Sequence, residues 1–450
     1  MKYRISILFA LLGFLAQAQE QLTLSEAVNY ALKNKAEAVK ARLDVENSEY
    51  KIQEVRAGAL PQISASGGLT YNAILQKSAL PGDMLGRPGE VIMIPFGQPW
   101  QSTAAISLNQ EIFNQAVFTG LKAAKTTREF YKINAQLTDE QVIEKVANSY
   151  YEVYKTDSQL KTIEKTIENT TRVRSVIKSL FDNGLAKKID LDRTDVTLNN
   201  LKSSRQQLLN AKQLQENSLK YLIGMDINNS ITLPDDTFEV SKHILVDETA
   251  NIENRTEIKL LEKQSELLVL NKKATEAQGM PSLSLNANYG YLGLGSQFPW
   301  FAKPADGVYW SNYSAIGLNL SIPIFNGGIV RSKVKQAEIE IQRLEADKRD
   351  TRLALDLSLR NAITQLNNSL ITLNTQKENV NLAKEVLSNI ENNYKFGLAT
   401  LTDLLDAENS HTDAQNNYTS ALLDYKLAEV QLIKAKGELK TLTDETELEN

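Results

Sequence analysis

The sequence predicts a mainly α-helical protein whose long antiparallel coiled-coil helices are joined to four β-strands of a membrane β-barrel, the whole built as an internal duplication. Three observations predict this. Residues 100–233 and 324–450 contain no proline and few glycines; matching motifs recur 212–213 positions apart; and four segments of period-two alternation follow an export signal.

The chain begins with that signal. Lys2 and Arg4 precede an apolar stretch from Ile5 to Leu15 and the small-x-small site Ala16-Gln17-Ala18, the pattern of a secretory signal peptide cleaved before Gln19. The apolar stretch is shorter than the roughly 20 residues a spanning helix needs, so removal is expected rather than anchoring. No later run of apolar residues reaches spanning length, which leaves strands as the only way into a membrane.

Thr23-Leu-Ser-Glu26 is a capping box, with a hydroxyl facing one orphan amide and a carboxylate facing another, and it predicts a helix over about 25–57. Ile63–Tyr71 and Ala105–Ile112 alternate polar and apolar residues around a Pro- and Gly-rich loop, as a β-hairpin requires. A long helix is expected from about 114 to 183, turning at Gly184 into a second that ends at Gly224. Proline costs about 3 and glycine about 1 kcal/mol inside a helix, so their scarcity permits such lengths.

The same order then returns: a helix over about 251–278, strands over Leu283–Tyr291 and Ser314–Ile322, a long helix over about 328–396, and a last helix to Gly437. In the second long helix, Val334, Ala337, Ile341, Leu344, Leu355, Leu359, Ala362, Leu366, Leu370, Leu373, Val380, Ala383, Leu387, Ile390 and Tyr394 form a seam of three- and four-residue steps, the narrow stripe of a coiled coil. Glu111-Ile-Phe113-Asn114 matches Pro323-Ile-Phe325-Asn326, Asn183-Gly-Leu-Ala186 matches Phe396-Gly-Leu-Ala399, and Asp190-Leu191 matches Asp403-Leu404. A register held this long marks a duplicated unit. The domains expected are a signal peptide (1–18), a first repeat (19–236, hairpin 62–112), a second repeat (237–440, hairpin 282–322) and a flexible acidic tail (441–450).

The long helices would each reach roughly 100 Å at 1.5 Å per residue. In each repeat the two shorter helices, end to end, add up to a similar length, which predicts a thin rod with hairpins at one end and the Gly184 and Gly397 turns at the other. Strands of about 9–11 residues suit an outer membrane. Four of them leave two edges without partners in hydrocarbon, and single-chain barrels start at about eight strands. Closure therefore requires several copies. Trp100, Trp300, Phe301, Tyr309, Trp310 and Tyr313 lie beside the strands and are candidate membrane-interface aromatics.

Composition excludes several classes. With no cysteine and only His243 and His411 as histidines, no metal site and no cofactor is expected. Loss of the signal removes two bases and takes the net charge from −5 to −7, opposite to what nucleic-acid binding needs. No nucleophile–base set or phosphate loop supports an enzyme.

The whole mature chain resembles the outer-membrane factor family, the TolC-like channels. The residues that carry the resemblance are Leu22-Thr-Leu-Ser-Glu-Ala27, Pro323-Ile-Phe-Asn-Gly-Gly328, the paired Gly-Leu-Ala turns and the duplication. The resemblance implies a homotrimer with a twelve-stranded barrel in the lipid of a Gram-negative outer membrane and a helical barrel crossing the periplasm. It implies a passive exit duct joined by a periplasmic adaptor to an inner-membrane pump, proton-driven or ATP-driven. Small-molecule efflux is the first expectation and type I protein secretion the second. A non-conducting coiled-coil stalk would not need the duplicated hairpins, and an adaptor would carry one helical hairpin among other β-domains.

By position in the resemblance, Asp403 and Asp406 match carboxylates ringing a narrow periplasmic entrance, and Asp190 and Tyr394 match members of a hydrogen-bonded latch. Thr400 and Asp403 equally have the spacing of a helix cap. Ala399 stands where the resemblance places a latch arginine, so either Lys187 or Lys188 pairs locally with Asp190 or the latch rests on Tyr394 alone, and a closed state held by fewer links is expected. Asn183, Gly184, Leu185, Ala186, Phe396, Gly397, Leu398 and Ala399 are the expected adaptor contacts, on turns thought to carry little side-chain bulk.

Overall fold

The computed structural model describes residues 21–234, 251–302 and 304–443. The signal peptide, His243 and the acidic end from Asp444 lie outside the described residues.

The helices follow in the order α1 (Leu24–Asn34), α2 (Ala36–Ala57), α3 (Gln115–Asp182), α4 (Lys188–Ile223), α5 (Thr256–Ala277), α6 (Ile329–Lys395) and α7 (Leu401–Lys436). The strands are β1 (Gln62–Tyr71), β2 (Lys77–Pro81), β3 (Val91–Pro95), β4 (Trp100–Phe113), β5 (Ser282–Gly295) and β6 (Val308–Ser321). The duplication is visible in lengths: α2 and α5 both have 22 residues, α3 and α6 have 68 and 67, and α4 and α7 both have 36.

Two expected features are modified. The first helix is interrupted at Lys35, which takes an extended backbone. Its ammonium donates to the Tyr221 carbonyl at 2.9 Å and sits 3.7 Å over the Tyr221 ring, so a tertiary contact outweighs helix continuity. The loop between β1 and β4 carries a hairpin of its own, β2–β3, that its prolines had concealed.

Contacts divide the chain into two compact units, each drawn from both repeats: one through Val45, Phe130–Glu262 and Ala346 onward, the other Glu46–Glu129 and Lys263–Glu345.

The second unit contains the sheet, antiparallel throughout, in the order β1-β4-β5-β6. The β4–β5 pairing joins the hairpins of the two repeats. Register fixes the faces. Ile63, Leu108, Ala287 and Ile316 lie opposite one another across the four strands, and so do Ala65, Ile106, Tyr289 and Ser314 two residues along. Continued by Leu285, Leu318 and Leu320, this face is apolar yet open, with Ile63 70% and Ile316 80% exposed. The opposite face carries Ser64, Ser66, Gln101, Thr103, Ser107, Asn109, Asn286, Asn288, Asn319 and Ser321. Side chains alternate strictly between faces along a strand; an apolar face left in the open and a polar one behind it is the pattern of a membrane barrel wall. Among the described residues β1 and β6 each pair on one side only.

The first unit is helical. Leu24, Ala27, Val28 and Ala31 of α1 pack with Val142, Ile143, Val146, Ala147 and Tyr150 of α3, Leu219 and Ile223 of α4, and Val430 of α7. Leu439 and Leu442 join the same core, so the chain stays packed through Thr443. The α6 seam engages as expected: Leu359, Ala362, Leu366 and Leu373 pack on Ala421, Tyr425, Ala428 and Leu432 of α7. The capping box at Thr23 and Glu26 is made in both directions.

Candidate functional site: the hairpin tips

The two helix-to-helix turns are built alike. Gly184 and Gly397 both have φ of +74°, a left-handed conformation that glycine adopts without steric cost. Each is followed by a closing bond of the same kind, from the Leu185 amide to the Leu180 carbonyl at 2.7 Å and from the Leu398 amide to the Asn393 carbonyl at 2.8 Å. Asn183 caps its own turn with a side-chain bond to the Ser179 carbonyl at 2.7 Å. The turns are not bare. Leu185, Phe396 and Leu398 are 77–78% exposed, whereas Ala186 and Ala399 are half-buried behind them. Tight glycine turns thus push three large apolar side chains outward instead of presenting a smooth end.

Above the turns, two small apolar clusters share Tyr394. One contains Ile177 and Val173 of α3, Leu191 of α4, and Leu401 and Leu405 of α7; the other Leu387 and Ile390 of α6 with Leu404 and Ala407 of α7. Burial, then the nearby Asp190 charge, raises the Tyr394 hydroxyl above its ordinary range, so it stays a neutral phenol. Asp190 sits in the first turn of α4, where a carboxylate complements the helix dipole. Among the described residues no hydrogen bond joins Asp190 to Tyr394, and no ion pair joins it to Lys187 or Lys188.

Asp403 completes a capping box. Its Oδ2 accepts from the Thr400 amide at 2.8 Å and hydroxyl at 2.7 Å, and its own amide donates to the Thr400 hydroxyl at 3.2 Å. Those bonds hold its carboxyl below the usual range. Asp406 is exposed one turn along, on the same side of α7 by three-residue spacing.

Two tip contacts escaped sequence reasoning. The Arg193 guanidinium donates to the Thr402 hydroxyl at 3.0 Å, tying α4 of the first repeat to α7 of the second. Arg174 pairs with Asp195 across the α3–α4 hairpin, which holds the carboxyl low. Neither partner pair is close in sequence, so no local spacing marks them.

In the other unit, Trp100 and Trp310 lie on the apolar face, whereas register sets Tyr309 and Tyr313 on the polar face. Trp300 and Phe301 occupy the β5–β6 loop. Trp300 donates its indole N–H to Ser102 Oγ at 3.1 Å and stacks edge-on with Phe298, which meets Trp100, which meets Tyr71. Phe301 is fully exposed. Proximity to the strands, the basis of the sequence expectation, does not separate the two faces.

Comparison with known proteins places the chain. The family described as "Outer membrane efflux protein" matches residues 27–225 and 252–438. The outer membrane protein TolC of Vibrio cholerae is 24% identical over 434 residues, covering 96% of this chain and 94% of that protein. The solvent efflux pump outer membrane protein SrpC of Pseudomonas putida is 26% identical over 309 residues, 65% of this chain and 61% of its own length. The structure of the outer membrane protein VceC of Vibrio cholerae aligns with a TM-score of 0.72 at 18% identity, covering 92% of this chain and 96% of that one, and so shares the fold. The chain therefore belongs to the outer membrane efflux protein family, as an outer-membrane channel of the TolC type.

Proposed function

We propose that the chain is the exit duct of a tripartite efflux system, passing small molecules outward when docked to a periplasmic adaptor and an inner-membrane pump, with no catalysis of its own. The observation that carries the duct is the four-stranded sheet with one apolar and one polar face and, among the described residues, an unpaired edge on each side. Such a sheet closes in hydrocarbon by repetition, and three copies give a twelve-stranded barrel. Trp100, Trp300 and Trp310 then meet the lipid interface, while Tyr309 and Tyr313 face the lumen.

The tip serves two roles in this reading. The exposed Leu185, Phe396 and Leu398 offer apolar knobs to the adaptor, around the turns Asn183–Ala186 and Phe396–Ala399. Asp403 and Asp406, three copies of each, form an electronegative entrance that draws cations. Tyr394 holds it closed by packing, with Asp190 close by in the first turn of α4. Similarity to a protein named for solvent efflux favours small apolar cargo.

The test is photo-crosslinking from a probe at Lys187 or Thr400 in intact cells, with partners identified by mass. An adaptor captured together with a proton-driven pump is the expected result. An adaptor with an ATP-driven exporter would move the cargo to polypeptides, and efficient labelling without an adaptor would overturn tip docking.

A further inference from the structure

The contact between α3 and α7 near the tip contains a polar layer that the gate described above does not use. Glu408 of α7 is only 6% exposed, one turn from Leu404 and Leu405. Its Oε2 accepts from the hydroxyl of Thr170 on α3 at 3.3 Å, and Thr170 is fully buried. One turn further, the hydroxyls of Thr166 and Thr412 lie 3.0 Å apart. Among the described residues no cation pairs with the Glu408 carboxyl.

The charged surroundings are unfavourable to an anion. From α6, Glu391 faces the site and repels a second negative charge. From α7 itself, His411 lies three residues further on, and burial and the charges of Lys165 on α3 and Lys384 on α6 hold it below the usual imidazole range. Its Nε2 is buried without a hydrogen-bond partner. A buried carboxylate served by a single long hydroxyl bond is costly to ionise in place.

We propose that Glu408 is a further gating residue of the channel: protonated, it keeps α7 seated on α3, and ionised, it drives α7 away from α3 and loosens the tip. The proposal rests on the reading of the tip as the entrance and adds to it a dependence on periplasmic pH.

Burial and then Glu391 push the Glu408 carboxyl up to about 7, against the Thr170 bond that pulls it down, from an ordinary value of 4.5. When α7 moves out and water reaches the group, the ordinary value returns. The seated state thus binds the proton more tightly. Its advantage is full below about pH 4.5, declines as pH rises, and is lost by about pH 7. The ratio of seated to released helices changes by ~100-fold or more per protomer across that window. Asp403, held low by Thr400, remains ionised through most of it and does not mimic the effect.

The experiment is single-channel recording of the full chain reconstituted in planar bilayers between pH 4.5 and 8. Open probability of the unmodified channel rises at least ~10-fold from pH 5 to pH 7.5, part of the shift allowed by linkage. Glu408→Gln, a neutral isostere, stays at the acid level throughout. Glu391→Gln moves the midpoint toward acid. A flat profile in the unmodified channel, or an unchanged profile in Glu408→Gln, overturns the proposal. A Tyr394→Ala channel recorded alongside separates the two claims. If it opens while pH has no effect, only the Glu408 role fails; if it too leaves opening unchanged, the tip reading fails with it.

Discussion

In the closure proposed for the tip, Tyr394 acts through its ring more than through its hydroxyl. The ring belongs to both apolar clusters that tie α6 to α3, α4 and α7, whereas among the described residues the hydroxyl has no hydrogen bond to Asp190. Truncating a fully buried aromatic to alanine costs about 3–5 kcal/mol. Tyr394 is half-buried, so Tyr394→Ala should remove about 2 kcal/mol of closed-state packing per protomer, since burial scales with the area removed from water. At 1.4 kcal/mol per factor of ten, that raises the open-to-closed ratio by ~30-fold. Tyr394→Phe keeps the ring, and losing a hydroxyl that has no hydrogen bond among the described residues should change the ratio by less than about threefold. The assay is conductance of the reconstituted channel at fixed pH and salt, with trimer content checked by native mass. If Tyr394→Phe opened the channel as far as Tyr394→Ala, closure would rest on the hydroxyl and the packing argument would be refuted.

Three further outcomes test the fold. Leu373→Ala, in the α6–α7 seam at 2% exposure, should destabilise the helical unit by about 2–5 kcal/mol, read as a lower denaturation midpoint. Gly224→Ala places a Cβ 3.0 Å from the Asn34 carbonyl at a φ of +76°, and should cost at least about 1–2 kcal/mol, visible as a lower Tm by circular dichroism. Thr23→Ala removes one half of the α1 capping box and should cost about 1 kcal/mol, with faster amide exchange confined to the first turn of α1.

Much of this architecture is readable from residue patterns because it depends on local chemistry repeated many times. The α6 seam is set by three- and four-residue spacing, and Leu359, Leu366 and Leu373 are buried where that spacing puts them. The Thr23 and Thr400 capping boxes and the Gly184 and Gly397 turns need only their own neighbours. What the pattern does not reveal depends on partners distant in sequence. The helix break at Lys35 is decided by Tyr221, the sheet order by β4 meeting β5, and the Arg193–Thr402 link by two repeats folding together. Tyr309 and Tyr313 lie on the same strand as Trp310, but an odd offset from it assigns them to the other face. Glu408 sits in a polar-looking stretch of α7, and only its burial against Thr170 distinguishes it from a solvated acid.

The measurement that bears most directly on the proposal that the tip is the channel's entrance is ion selectivity. Asp403 and Asp406 are exposed on one side of α7 just behind the turn, and Asn at 403 retains the acceptor that the capping box needs. Reversal potentials across a salt gradient should show cation preference in the unmodified channel and its near-complete loss in Asp403→Asn/Asp406→Asn, with the same trimer content. Cation preference unchanged in the double variant would contradict the central claim and move the constriction away from the tip.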